Sequence, residues 1–365
     1  MGRILFLGNL LVLSALLPGC GPEDASGRVP AWVETYDVVT RTYALAPDHV
    51  DNLESMRALR GRDVELRSGA GFTGVTERLV DHGRAFSFHY TLDAKGYAVP
   101  SELEDAYAVS VYRDLDRISS LLRDHGHLPE TRLQVFYFPY ADNALVGDDR
   151  TSLMDNAAYD FQHHVFLILP SFLFNRLPLL LNQGVLGHEF GHSVIQQTVF
   201  AGRAFEPARD NSRALASMHE GAADLIGFVV SADPNFIAPS LATDRDLSEP
   251  QSYTETDATE LLSLASTTFD PHRHGSILAR ALYEAWPKAA DGSISPDGRG
   301  RMLDVLLASL RDLNASFTPA SFTLASLPNA WVTHLPQSDL ASTCAVLRLR
   351  LAPLFAELTN CPVPT

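Results

Sequence analysis

Positive charge is scarce in this chain of 365 residues, which has 28 lysine and arginine residues against 44 aspartate and glutamate residues. The formal net charge of −16 argues against nucleic acid as a partner, because a duplex would repel such a surface. Internal repeats and low-complexity tracts are also absent. A hydrophobic share of 46% and a charged share of 20% indicate a globular protein with a core of good size.

Long apolar runs are missing too. Residues 4–17 are mostly apolar and follow Arg3, but the run is shorter than the roughly 20 residues that a spanning helix needs. It therefore predicts a signal peptide over residues 1–20. A second apolar run, residues 165–181, is interrupted by Pro170 and Pro178, which favours a strand, a turn and the start of a buried helix over a membrane span.

The signal segment ends in the sequence Leu-Pro-Gly-Cys at residues 17–20. This ending resembles the lipobox of bacterial lipoproteins, which implies that Cys20 is acylated and anchors an exported protein in the cell envelope. The alternative is an ordinary secretory signal that is cleaved nearby. Residues 21–30 are small and polar, which is typical of a tether, and Gly-Pro at 21–22 favours the outer membrane by resemblance to lipoprotein sorting rules.

Cysteine is rare, with three residues in the chain. If Cys20 carries lipid, Cys344 and Cys361 remain as an even pair in an oxidising compartment, and we expect a disulfide between them. Two unrelated free thiols are the alternative.

The predicted elements change in type along the chain. Strand-like runs at 36–43 and 85–92 lie in a β-rich region, residues 31–100, and strands are expected at 132–140 and 156–169. Helical spacing is found at 101–125, 176–199, 212–230, 260–264, 275–286, 301–313 and 340–358. The sequence thus predicts an α+β fold, in which a mixed α/β subdomain (101–200) precedes an all-helical subdomain (201–365).

The sequence His188-Glu189-Phe190-Gly191-His192 lies in the second of these helices. Residues four apart share one face of a helix, so both imidazoles can bind one ion. The Glu189 carboxylate can then reach a water on that ion. This is the HExxH arrangement of zinc peptidases.

The sequence Glu220-Gly-Ala-Ala-Asp224 lies in the next helix and supplies a third ligand. A catalytic zinc needs three protein ligands and one open position for water, so we expect Glu220 to complete the set with His188 and His192. Asp224, one turn later, is expected to accept the outer N–H of a ligand histidine. The apolar neighbours of this pair argue against a solvated helix face, because a buried carboxylate needs a partner.

Together these two motifs resemble the gluzincin metallopeptidases, the thermolysin and fungalysin group. The resemblance implies a zincin-like fold, a zinc cofactor, a peptide or protein substrate and hydrolysis by a water that Glu189 deprotonates. Residues 155–159 resemble the edge strand of that group, which implies that Asn156 and Ala157 bind the substrate backbone.

Residues 270–278 resemble the start of the downstream helix whose histidine stabilises the oxyanion. Either His272 or His274 could take this role, and the spacing to the following glycine favours His272. The thermolysin group also has a tyrosine after the zinc helix. This chain has none between residues 193 and 218, although Tyr253 follows later.

The predicted function is therefore a zinc-dependent endopeptidase. The alternative is a non-catalytic envelope lipoprotein that uses a zincin scaffold for binding or assembly. A purely structural zinc site would need a fourth protein ligand, and a scaffold without activity would be expected to lose Glu189. The hypothesis depends on Glu220 lying close to the two histidines.

Overall fold

The structure is a computed structural model that describes residues 24–37, 40, 42–73, 79–129, 131–142, 150–152, 157–169, 176–200, 212–241, 245–263, 267–316 and 322–361. Within these ranges the chain is α+β, with a large mixed sheet, a small sheet and eight α-helices. The predicted signal peptide, Cys20 and Asn156 lie outside the described residues. None of the described helices has the combined length and apolar character that crossing a membrane requires.

Fourteen strands are found in the described residues. They are β1 (Gly27–Asp37), β2 (Thr42–Ser55), β3 (Arg60–Gly61), β4 (Val64–Ser68), β5 (Gly71–Thr73), β6 (Leu79–Asp81), β7 (Arg84–Ala85), β8 (Tyr90–Leu92), β9 (Ala98–Pro100), β10 (Leu133–Tyr137), β11 (Tyr140–Asp142), β12 (Arg150–Ser152), β13 (Ala157–Asp160) and β14 (Val165–Ile168). The large sheet has the order β13-β14-β10-β4-β3-β2-β1-β9-β8, with β7 also paired to β4, and the small sheet has the order β12-β11-β5-β6.

The large sheet joins the two regions that the sequence analysis separated at residue 100. β10 pairs in parallel with β4 on one side and with β14 on the other. Residues 31–100 and the following α/β region therefore share one sheet and one core. Residues 27–30, which were expected in a tether, belong to β1, where Val29 is buried.

Three strand predictions were wrong in detail. The segment 36–43 contains only the end of β1 and the start of β2, which are antiparallel, with Tyr36 paired to Tyr43. Residues 85–92 contain β8 and only the end of β7. Residues 156–169 contain two antiparallel strands, β13 and β14. The turn between them forms because the Asp160 carboxylate accepts hydrogen bonds from the backbone N–H groups of Gln162 and His163.

The helices are α1 (Leu103–Asp124), α2 (Gln183–Ile195), α3 (Ser212–Ser231), α4 (Glu255–Leu262), α5 (Pro271–Ala285), α6 (Pro296–Ser316), α7 (Ser326–Thr333) and α8 (Gln337–Arg350). Each predicted helical segment overlaps one of them, but the segment 260–264 covers only the last three residues of α4, and α7 was not predicted. The apolar spacing identified the helices. Several helix ends differ from the predicted ones, because short irregular segments separate the helices.

Helix α2 begins at a well-defined N-cap. The Asn182 side chain accepts hydrogen bonds from the backbone N–H groups of Gly184 and Val185 at 3.0 and 3.2 Å. Its amide group donates to the Phe236 carbonyl at 2.7 Å, which ties the start of α2 to the segment after α3. A π-helical turn (Gln196–Phe200) follows the helix.

Helices α2, α3 and α5 approach one another at glycines. A Cβ added to Gly191 of α2 would lie 3.0 Å from the Ala223 Cα of α3. A Cβ added to Gly275 of α5 would lie 2.5 Å from the Glu220 Cβ of α3. The absence of a side chain at both positions lets the three helix backbones lie close together.

A disulfide bond links two residues in the C-terminal part of the chain. Cys344 of α8 is joined to Cys361 in a disulfide, and both residues are buried. Helix α8 packs against α5, so the disulfide stabilises the region behind the helix that carries His272.

Candidate metal centre

The two histidines of the HExxH motif lie on one face of α2, as the spacing predicted. His188 and His192 are 4% and 5% exposed, and their ring centroids are 4.7 Å apart. With Glu189 they form a group whose potential ligand atoms all lie within 4.8 Å of one another. This group could hold a metal ion.

Glu220 of α3 lies against both imidazoles. One carboxylate oxygen, Oε2, is 3.4 Å from His188 Nε2, and the other, Oε1, is 3.7 Å from His192 Nε2. Oε2 is buried, and it makes no hydrogen bond within the described residues. A buried carboxylate oxygen without a hydrogen bond is costly unless a cation lies nearby.

Asp224 contacts the His188 ring on the side opposite to Glu220. Its Oδ1 atom lies 2.9 Å from His188 Nδ1, which leaves Nε2 directed toward Glu220. Asp224 is fully buried and forms an ion pair with Arg245, whose guanidinium also lies 3.6 Å from Glu220 Oε2. Arg245 could not be predicted from the sequence, because it lies in an irregular segment where no motif or periodicity marks it.

His219, the residue before Glu220, is the outer partner of His192. The two Nδ1 atoms are 2.7 Å apart. Burial lowers the pKa of His219 to about 3, so its ring is neutral. His219 was not predicted as a site residue, although its position directly before the predicted ligand Glu220 was a usable signal.

Electrostatics at the centre favour a cation. Burial disfavours a charged His188 ring, but Asp224 and Glu220 outweigh burial and raise the pKa of His188 to about 10. Burial lowers the pKa of His192 well below its usual range. The negative charges of Asp224 and Glu220 thus favour a positive charge between them, which a bound metal ion would supply.

Glu189 lies between the candidate ligands and the edge of the sheet. Its Oε1 atom is 3.9 Å from His188 Nε2, and its Oε2 atom accepts a hydrogen bond from the backbone N–H of Tyr159 at 3.0 Å. Burial, with a contribution from the charge of Glu220, raises the pKa of Glu189 to about 7. A carboxylate with a pKa near neutrality is suited to accept and return a proton.

The structure distinguishes between the two downstream histidines. His272, in the first turn of α5, has its Nε2 atom 3.6 Å from Glu220 Oε2 and a side chain that is 53% exposed. Its Nδ1 atom is 3.2 Å from the Asp270 carboxylate. His274 is fully buried, and its Nδ1 atom is 2.7 Å from the Tyr253 hydroxyl. His272 therefore lies at the centre, whereas Tyr253 and His274 form a separate buried pair.

The edge strand β13 borders the same centre. Ala157 begins the strand and pairs with Ile168 of β14, and no described strand pairs with the opposite side of β13. Tyr159 directs its N–H away from β14 toward Glu189. Because backbone groups of alternate residues point to the same side in an antiparallel pair, those of Ala157 also face the free edge.

Two imidazoles and a carboxylate are donors that a metal ion such as zinc accepts. Zinc bonds of about 2.0–2.1 Å in tetrahedral geometry place neighbouring ligand atoms about 3.3 Å apart. Glu220 comes close to this value with a different oxygen toward each histidine: Oε2 is 3.4 Å from His188 Nε2, and Oε1 is 3.7 Å from His192 Nε2. Two imidazoles and one carboxylate leave one tetrahedral position for another molecule.

No protein-family model matches the chain, and the comparison with curated proteins gives no match. The proposed function therefore depends on the residues of the centre.

Proposed function

We propose that this protein is a zinc-dependent endopeptidase of the gluzincin type, on a zincin-like fold. The observation that carries the proposal is the convergence of Glu220 on the imidazoles of His188 and His192, at 3.4 and 3.7 Å, with Glu189 beside them. Three ligands from two helices and a carboxylate next to the open position are what a hydrolytic zinc site needs.

The residues would divide the reaction as follows. When bound, zinc supplies Lewis-acid polarisation of the scissile carbonyl and acidifies a water molecule at the open position. Glu189 takes the proton of the attacking water and passes it to the leaving amine. His272, exposed beside Glu220, donates a hydrogen bond to the oxygen that becomes negative.

The side of β13 with which no described strand pairs would bind the substrate. An extended peptide added to this edge exchanges backbone hydrogen bonds with Ala157, a mode that gives register with little sequence selectivity. Asn156 immediately precedes this strand and is proposed to bind the same peptide. The hydrogen bond from Tyr159 to Glu189 links this edge to the proposed base at 3.0 Å.

The proposal predicts that the purified full chain binds one zinc ion and hydrolyses casein, and that a chelator abolishes hydrolysis until zinc is restored. Elemental analysis gives the metal content, and fluorescently labelled casein gives the rate on the same preparation. A preparation that binds no zinc would contradict the proposal.

A second candidate function is a non-catalytic scaffold with a closed metal site. The position of His272 favours this function, because its Nε2 atom lies 3.6 Å from Glu220 Oε2. After a small movement, His272 could become a fourth ligand. The exposure of the His272 side chain favours the catalytic function. Zinc binding in full stoichiometry, without hydrolysis of any protein substrate, would favour the scaffold.

We also propose that the protein is exported and anchored by lipid at Cys20, as the sequence of residues 17–20 indicates. A Cys20→Ser variant is expected to move from the membrane fraction to the soluble fraction, because the acyl chains are lost. Fractionation of cells that express each form, with immunoblotting, measures this. Equal membrane association of both forms would contradict the anchor.

A further inference from the structure

The contact between His192 and His219 requires one proton between the two rings. The two Nδ1 atoms are 2.7 Å apart, so one hydrogen lies between them. If His192 binds a metal ion through Nε2, its own proton is at Nδ1, and His219 Nδ1 must accept it. The proton of the His219 ring is then at Nε2.

His219 is held so that it cannot turn away from this bond. It lies in α3 directly before Glu220 and is 3% exposed. The Phe161 ring meets it edge-on at 4.8 Å, and the Phe200 ring lies nearly parallel to it at 6.2 Å. Two aromatic rings and the helix backbone thus fix the orientation of the imidazole.

We propose that His219 is a positioning residue that holds His192 in the tautomer and the ring orientation that bind metal through Nε2; this rests on the zinc centre of the proposed function. The partner of His188 is different, because Asp224 is an anion that is itself paired with Arg245. A neutral imidazole orients the second ligand without adding a further negative charge to a site that already contains Glu220 and Asp224.

Two variants of nearly equal size separate the hydrogen bond from the volume of the ring. In His219→Asn, the Oδ1 atom is bonded to Cγ, as Nδ1 is in histidine, and offers an acceptor at the same place. In His219→Leu, a methyl group takes that place. Zinc affinity is measured on the full chain by competition with a chromophoric chelator, and the Co²⁺ absorption spectrum reports the ligand geometry. Urea unfolding in excess chelator gives the metal-free stability of both variants.

We expect His219→Leu to weaken zinc binding about 10–100-fold and to alter the Co²⁺ spectrum, whereas His219→Asn stays within about threefold of the original chain. Equal affinities for His219→Leu and the original chain would overturn the proposal. Equal losses in the two variants would also overturn it, because the volume of the ring would then be responsible. Failure of the unmodified chain to bind zinc would instead refute the metal centre itself, and this inference with it.

Discussion

A Glu189→Gln variant is expected to keep its zinc and to lose peptidase activity by about 10²–10⁴-fold in kcat/KM. Glutamine has nearly the same shape as glutamate, and its carbonyl oxygen can still accept the hydrogen bond that Tyr159 donates at 3.0 Å. It cannot accept a proton from water. The candidate ligands His188, His192 and Glu220 are unchanged, so the metal content should be unchanged too.

Glu249→Gln is the matched control for this variant. Glu249 is exposed and lies on an irregular segment outside the centre, so the same chemical change there should leave both zinc content and turnover unaltered. Hydrolysis by Glu189→Gln at close to the original rate would exclude Glu189 as the base. Loss of zinc from Glu189→Gln would instead assign this residue to the coordination of the metal.

Replacement of Gly275 by alanine is expected to damage the metal centre from outside it. The added Cβ would lie 2.5 Å from the Glu220 Cβ and 2.7 Å from the Gly221 nitrogen and the Ser217 carbonyl oxygen. These atoms belong to the backbone or adjoin it, so α5 must move away from α3. Because His272 lies on α5 and Glu220 on α3, their spacing must change. We expect zinc affinity to fall more than about 10-fold and the free energy of unfolding to fall by about 1–3 kcal/mol.

Gly300→Ala in α6 gives the comparison for the intrinsic effect of alanine in a helix. There the added Cβ would meet only the His125 ring, at 3.1 Å, and a shift of a few tenths of an ångström in that side chain, which also contacts Asp304, makes room for it. The expected change is a gain of up to about 1 kcal/mol, with unchanged zinc affinity. Urea unfolding in excess chelator and zinc titration measure the two quantities. Unaltered zinc affinity in Gly275→Ala would show that the helix contact does not set the position of Glu220.

The candidate ligands could be predicted because their geometry is local. His188 and His192 are four residues apart on one helix, and Asp224 is one turn beyond Glu220 on another, so helical periodicity alone aligned each pair. We inferred that the two helices meet, because a catalytic zinc needs a third protein ligand. The structure brings Glu220 to within 3.4 Å of His188 Nε2.

The partners that come from other parts of the fold could not be predicted in this way. Arg245 reaches Asp224 from an irregular segment, and Tyr159 reaches Glu189 through the backbone, which has no sequence signature. The strand predictions failed for a related reason. Strands at 36–43 and 156–169 were too long because a turn and a strand differ by a few hydrogen bonds, such as those that Asp160 accepts.

The shared sheet restricts how the proposed enzyme could be kept inactive before it is needed. β10 lies between β14 and β4, and β4 belongs to the stretch that precedes α1. Proteolytic removal of that stretch would leave one edge of β10 unpaired, and an unpaired strand edge can pair with another chain and cause aggregation. Maturation by cleavage of the whole segment before α1 would therefore disrupt the large sheet. Any mechanism that keeps the proposed enzyme inactive must leave these strands in the fold.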